Sequence, residues 1–219
     1  MPCPCCQPPD IDGIESFFDA SRAQTEVDAY LRAGLDARSA RLIEYLLNNA
    51  GGPLSLLDIG GGVGSVHYEL LRREIAASAV AVEASSAYIE AARSIGRELG
   101  LDDRVNYLHA DFALSADAVD PADAVILDRV ICCYPLLDDL LSAAADKAGR
   151  ILALSYPRAK WWVFITFKLF NLYLRLKRCN FRTYLHSHSD VHAIAARKGL
   201  APVHADTQGL WQITVFARA

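Results

Sequence analysis

The chain has 219 residues, enough for one well-buried core or two small ones, and its 53% hydrophobic content excludes a disordered polypeptide. Its net charge of -4 hides an asymmetry: no acid occurs between Asp146 and Asp190, while Lys147, Arg150, Arg158, Lys160, Lys168, Arg175, Lys177, Arg178 and Arg182 all fall there. A basic segment on an otherwise acidic protein points to an anionic substrate group or anionic lipid ahead of nucleic acid.

From the start of the chain, MPCPCCQPPD lacks a positive beginning and an apolar stretch, so no secretory signal is expected. The cysteines occur as Cys3, Cys5 and Cys6, then Cys132 and Cys133, then Cys179. Such adjacent pairs make a poor disulfide framework, and a reducing, cytoplasmic setting follows. Two helical stretches come next, over residues 13–34 and 37–50, the second closed by Gly51-Gly52 as a helix stop. From residue 54 onward strands and helices alternate: LSLLDI, HYELLRREI, SAVAVE, SAYIEAARSIGREL, RVNYLHA, ADAVILD, LLDDLLSAAADK and RILALSY. Runs such as AVAV, AVIL and ILAL show no polar alternation, as expected of strands covered on both faces by helices in a parallel, doubly wound α/β sheet. A helix around 187–198 precedes two last strands, LAPVHAD and LWQITVFAR, separated by Thr207-Gln208-Gly209. So short a link makes them antiparallel neighbours. A single domain over 1–219 is predicted, with a helical cap at about 1–50, a Rossmann-like core at about 54–219, and a lid-like insert at about 158–186.

The candidate site lies at LLDIGGGVGSV, where Gly60, Gly61, Gly62 and Gly64 crowd behind the first strand. Bare backbone between a strand and its helix lets a ligand approach closely and aims N–H groups at it. Three acids close successive strands: Asp58 before the glycines, Glu83 after the second strand and Asp111 in HADF after the third. A carboxylate at the second position suits a ribose diol, because two oxygens accept from two adjacent hydroxyls.

Asp58-Ile59-Gly60-Gly61-Gly62-Val63-Gly64 resembles the D/E-x-G-x-G-x-G motif of the class I S-adenosylmethionine-dependent methyltransferases. The resemblance implies a seven-stranded sheet in order 3-2-1-4-5-7-6 with strand seven antiparallel, and S-adenosyl-L-methionine as cofactor. It further implies that Asp58 and Gly60 hold the methionine amino end, that Gly62 lets the cofactor pass, and that Glu83 takes the ribose hydroxyls. Ala84 would pack on adenine, Asp111 and the Phe112 backbone N–H would read its edge, and Asp128 would address the methionine portion or the substrate. A nicotinamide site shares the strand, the loop and the later acid, but its third glycine is replaced here by Ser65.

For the acceptor, LDRVICCYP stands where nucleic-acid amino-methylating enzymes of this fold carry N/D/S-P-P-aromatic, so a small molecule is expected instead. The segment SYPRAKWWVFITFKLFNLYLRLKRCNFR, read as a helix, aligns Lys168, Asn171, Arg175 and Arg178 in one stripe beside a broad apolar surface. Three arrangements fit it: a helix buried against the sheet, a lid over an apolar acceptor, or a peripheral membrane contact through about 161–178. Its YPR and aromatic run are also similar, over a short stretch, to magnesium-protoporphyrin O-methyltransferases, which implies an apolar acceptor with an anionic oxygen. Arg158 and Trp161 are the candidate acceptor-binding residues, and Tyr134 and His186, with His188, the candidate bases. The alternatives are a thiolate-dependent metalloid methyltransferase built on Cys132-Cys133 together with Cys3, Cys5, Cys6 and Cys179, zinc at Cys3-x-Cys5-Cys6, and a protein that binds the cofactor or a metal without turnover.

Overall fold

The structure is a computed structural model describing residues 11–218. Three helices lead in: α1 (Ile11–Phe17), α2 (Ala20–Ala33) and α3 (Ala37–Asn49). The stretch predicted as one helix over 13–34 is therefore two. The break is made by Asp19, whose backbone is extended and whose carboxylate accepts from the Arg22 N–H at 2.9 Å, starting a new helix. The core follows as β1 (Leu54–Ile59), α4 (Ser65–Arg72), β2 (Ala76–Glu83), α5 (Ser86–Leu99), β3 (Val105–His109), α6 (Phe112–Ser115), β4 (Ala122–Asp128), α7 (Leu137–Lys147) and β5 (Ala148–Pro157). Then come α8 (Trp161–Leu176), α9 (His188–Arg197), β6 (Leu200–Gln208) and β7 (Trp211–Arg218).

The sheet runs β3-β2-β1-β4-β5-β7-β6, with β7 antiparallel to both neighbours. The last hairpin closes at Gly209 and Leu210 rather than at Thr207-Gln208-Gly209, because β6 pairs through Gln208 with Trp211. Apolar runs on the central strands serve two cores at once. Leu56, Ala124, Ile126, Ile151 and Ala153 pack toward the helices that include α3, α4 and α5, while the intervening Leu57, Val125, Leu127, Leu152 and Leu154 pack toward α7 and α9. The period of two along a strand sends alternate side chains to opposite faces, so continuous apolarity fills both. Each fully buried leucine, isoleucine or valine among them contributes about 1.5–3 kcal/mol of burial energy.

Parallel pairing sets Asp58 beside Ala81 and Ile126, and Glu83 beside His109. The carboxyl ends of β1, β2, β3 and β4 therefore share one edge, where open α/β sheets bind their ligands.

Candidate active site

The glycine loop leaves β1 with Gly60 at φ +62° and Gly62 at φ +58°, left-handed conformations that cost other residues about 1–2 kcal/mol. Gly60 is also sterically enforced: a Cβ there would stand 2.6 Å from Val130 Cγ2. At Gly62 the nearest atom to a Cβ is in the Tyr88 ring at 3.7 Å, an ordinary contact, and that part of the loop borders a crevice. Beneath the loop Asp58 is 1% exposed. One of its oxygens lies 2.8 Å from His67 Nδ1, while Oδ1 has no partner. A buried carboxylate oxygen left without a donor costs on the order of 1–3 kcal/mol, which marks it as an acceptor for an arriving N–H group.

Glu83 ends β2 with its carboxylate clasped by backbone. Oε1 accepts from the Ala84 and Ser85 N–H groups at 2.7 and 3.0 Å, and Oε2 accepts from Gly62 at 3.0 Å. Burial raises its pKa, and these three bonds oppose that shift. Asp111 caps α6 through the Ala113 N–H at 3.0 Å, and its other oxygen accepts from the Tyr134 hydroxyl at 3.2 Å. Burial raises the Asp111 pKa as well. The Tyr134 hydroxyl is pushed far above the ordinary phenol range by burial and by the facing Asp111 carboxylate. A phenol that donates to a carboxylate and is so hard to ionise cannot take a proton near neutral pH, which corrects the expectation of Tyr134 as a base.

Asp128 does not stand free. Arg38 of α3, 5% exposed, forms a salt bridge to it, Ser39 donates to its Oδ2 at 2.7 Å, and the Ser155 hydroxyl donates to Oδ1. The same guanidinium reaches Asp36 at 2.5 Å. Sequence reading missed Arg38, because a partner 90 residues away leaves no local signal. It missed Arg129 too. That residue adopts φ +64°, a strained conformation of the kind held at functional sites, and its guanidinium lies 3.5 Å from Glu26 of α2.

Two adjoining cavities follow from this arrangement. The larger, about 500 Å³, is walled by Glu83, Ala84, Asp111, Phe112, Cys132 and Cys133 on the sheet side, and by Phe17, Phe18, Phe167, Phe170, Phe181 and Trp211 from the cap, α8, the return segment and β7. The smaller, about 170 Å³, lies under the loop among Asp36, Ser39 and Asp58. Gly60, Gly62, Glu26, Asp128 and Arg129 border both. The larger volume lies within the roughly 300–1,000 Å³ usual for small-molecule sites.

Four predicted acceptor-site residues, Arg158, Trp161, His186 and His188, are not in these walls. Arg158 sits just beyond β5, where its backbone N–H donates to Leu210 at 2.8 Å, and its side chain does not line either cavity. Trp161, at the first turn of α8, is 75% exposed, because the helix begins in a phase that turns it outward. His186 donates through Nε2 to the Tyr134 carbonyl at 2.9 Å, so this nitrogen carries its proton and cannot accept one. His188 is hydrogen-bonded through Nδ1 to the Tyr156 hydroxyl at 2.6 Å, away from both cavities. The predicted basic stripe is also broken: α8 stops at Leu176, Arg178 lies past it at φ +55°, and Asn171 turns inward to bond Thr183.

Cys132 and Cys133 Sγ atoms stand 3.9 Å apart, and the Cys133 thiol is raised well above its ordinary pKa by its bond to Cys132 and by burial. A thiol held protonated is a poor soft-ion ligand. Among the described residues no group of three or more His, Cys, Asp or Glu is placed to hold a metal ion. Cys3, Cys5 and Cys6 lie outside the described residues.

S-adenosylmethionine suits this geometry on two observations: the partnerless Asp58 Oδ1 under the loop, and the place of Gly62, bonded to Glu83, at the border of both cavities. An apolar chamber beside a small polar one matches a nucleoside joined to a charged amino acid. No protein-family model matches the chain. Among solved structures, the chain is similar to a magnesium protoporphyrin IX methyltransferase from Synechocystis PCC 6803 crystallised with bound SAH, with TM-score 0.73 and 19% identity over 96% of this chain and 100% of that one. An O-methyltransferase family protein from Burkholderia thailandensis gives TM-score 0.71 and 18% identity over 94% of this chain and 63% of that one. Human N-acetylserotonin methyltransferase in complex with SAM gives 0.63 and 12% over 91% and 55%. Strand order, the antiparallel seventh strand and these likenesses agree: the chain has the fold of the class I S-adenosylmethionine-dependent methyltransferases.

Proposed function

We propose that this chain is an S-adenosylmethionine-dependent methyltransferase that methylates an oxygen of a small, apolar acceptor bearing an anionic group. The observation that carries this reading is the placing of three acids from successive strand ends about one glycine loop: Glu83 and Asp111 line the cavity of about 500 Å³, Asp58 lines the smaller one, and Gly60 and Gly62 border both. Glu83 would receive the ribose diol and Asp111 the adenine edge, together with the Phe112 N–H, while Ala84 packs against the ring. Asp58 and Gly60 would hold the methionine amino group in the smaller chamber.

Bound S-adenosylmethionine supplies a methyl group on a sulfonium whose charge disperses as a nucleophile attacks. The protein's own task is alignment and the exclusion of water. Phe17 stacks on Phe181 at 4.2 Å and meets Phe170 edge-on at 6.1 Å, closing the chamber with rings. Arg129, at the border of both chambers, takes the role expected of Arg158 and would pair the acceptor's anion. No wall residue of the larger chamber offers a free histidine base. A carboxylate acceptor, already ionised near neutral pH, needs none. The name of the O-methyltransferase family protein from Burkholderia thailandensis supports an oxygen acceptor, and the magnesium protoporphyrin IX enzyme supports an apolar one. The free thiols of Cys132, Cys133 and Cys179 support a reducing, cytoplasmic compartment.

Calorimetric titration with S-adenosylhomocysteine tests the cofactor reading. Glu83→Ala should weaken binding by about tenfold to a hundredfold, the loss of roughly 1.5–3 kcal/mol of charged hydrogen bonding. Unchanged affinity in the variant would remove the ribose assignment. Incubating the protein with labelled methyl donor and a metabolite extract, followed by mass identification of the product, tests the acceptor class.

A further inference from the structure

We infer that the outer face of α8 is a docking surface for an anionic lipid bilayer. The helix has two apolar sides. Val163, Phe167, Phe170 and Leu174 turn inward, two of them into the cavity wall and the other two into full burial. Trp161, Phe164, Leu169, Leu172, Tyr173 and Leu176 turn outward and, at 100° per residue, fall within one half of the helix circumference. They are 48–76% exposed, and nothing in the described residues covers them. Trp162 and Ile165 of the same helix are exposed too, and exposed large apolar side chains elsewhere in the described residues are scattered singly, at Leu31, Leu114, Leu136 and Val203. A contiguous apolar face of this kind marks an interaction site.

Charge selects the occupant. At 100° per residue, Lys160, Lys168 and Arg175 run along one edge of the outer face, and Lys177 and Arg178 follow its end. None of these five is in an ion pair among the described residues, and no acid lies between Asp146 and Asp190. Lys168 lays its ammonium 4.3 Å from the Phe164 ring centroid and Lys177 is 5.9 Å from that of Tyr173, so the stems cover apolar surface while the heads remain available to phosphates. A second copy of this chain would set two rows of unpaired cations against each other. An anionic headgroup layer over hydrocarbon answers both the charge and the apolar face. The helix, 16 residues and so about 24 Å long, would lie in the interface, since no helix among the described residues is long and apolar enough to cross a membrane.

The inference rests on α8 alone and does not require the methyl-donor reading. Flotation with phosphatidylcholine vesicles, with or without phosphatidylglycerol, tests it. The full chain should float with the mixed vesicles and bind neutral ones at least about tenfold more weakly, with binding to the mixed vesicles lost at high salt. Lys168→Gln and Arg175→Gln should each weaken binding about fivefold. L169Q/L172Q/L176Q should abolish flotation while leaving the far-ultraviolet circular dichroism and the S-adenosylhomocysteine affinity unchanged. Absence of vesicle binding, equal binding to both compositions, or dimerisation that the triple variant abolishes without any vesicle binding would each overturn the inference. Because cofactor affinity is read separately, failure of either proposal leaves the other standing.

Discussion

Glu83 feels two opposed forces: burial drives its carboxyl toward the neutral form, and three backbone N–H groups draw it toward the ionised one, with burial the larger. Only the ionised form offers both oxygens to a diol, so the sign of its pH dependence follows. Cofactor affinity should be flat above the raised pKa of the free protein and should fall as the pH drops through it, at higher pH than an ordinary glutamate near 4.3 would give. Calorimetry across a descending pH series reads this directly, and a Glu83→Gln variant with the same pH profile would mean that Glu83 accepts nothing from the ligand. At this scale the sequence was informative wherever a functional side chain sits at the end of a recognisable strand, as Asp58, Glu83 and Asp111 do. It was silent where the side chain's state depends on distant partners. Asp128 was visible as a strand-end acid, but its engagement by Arg38, Ser39 and Ser155 comes from three elements that only the fold assembles.

Among the elements, α8 shows why local pattern can establish a helix without orienting it. Its apolar residues nearly encircle the axis, so the inward face cannot be read from periodicity, and Trp161 was assigned to the wrong side. The orientation is set instead by Asn171, whose amide donates to the Thr183 carbonyl at 2.8 Å and whose oxygen accepts from the Thr183 N–H and hydroxyl at 2.9 and 3.1 Å. These three bonds staple the helix to the segment that returns beneath it, and that segment carries Phe181 into the cavity wall. Asn171→Ala should remove them, lowering stability in urea by about 1–3 kcal/mol and speeding release of bound S-adenosylhomocysteine in stopped-flow measurements. An unchanged release rate would show that α8 does not gate the chamber.

For the molecule as a whole, the alternation of strands and helices was legible because strands with both faces covered read as unbroken apolar runs, and the terminal hairpin because its link is too short for a crossover. The chamber was not legible, since its rings come from α1, α8, the return segment and β7. A ligand that bridges so many elements stabilises the native state as a unit. At a hundredfold excess over its dissociation constant it adds about 2.7 kcal/mol, which for a chain of this size raises Tm by roughly 5–10 °C. S-adenosylhomocysteine should produce this shift and NADH should not; the reverse pattern would assign the loop to a dinucleotide. The bridge from Arg38 to Asp128 and Ser155 also bears on the order of assembly. During translation α3 leaves the ribosome first, yet the acid and hydroxyl that receive its guanidinium are made 90 and 117 residues later. The leading helices must therefore wait, with Arg38 solvated, until β4 and β5 exist to accept it.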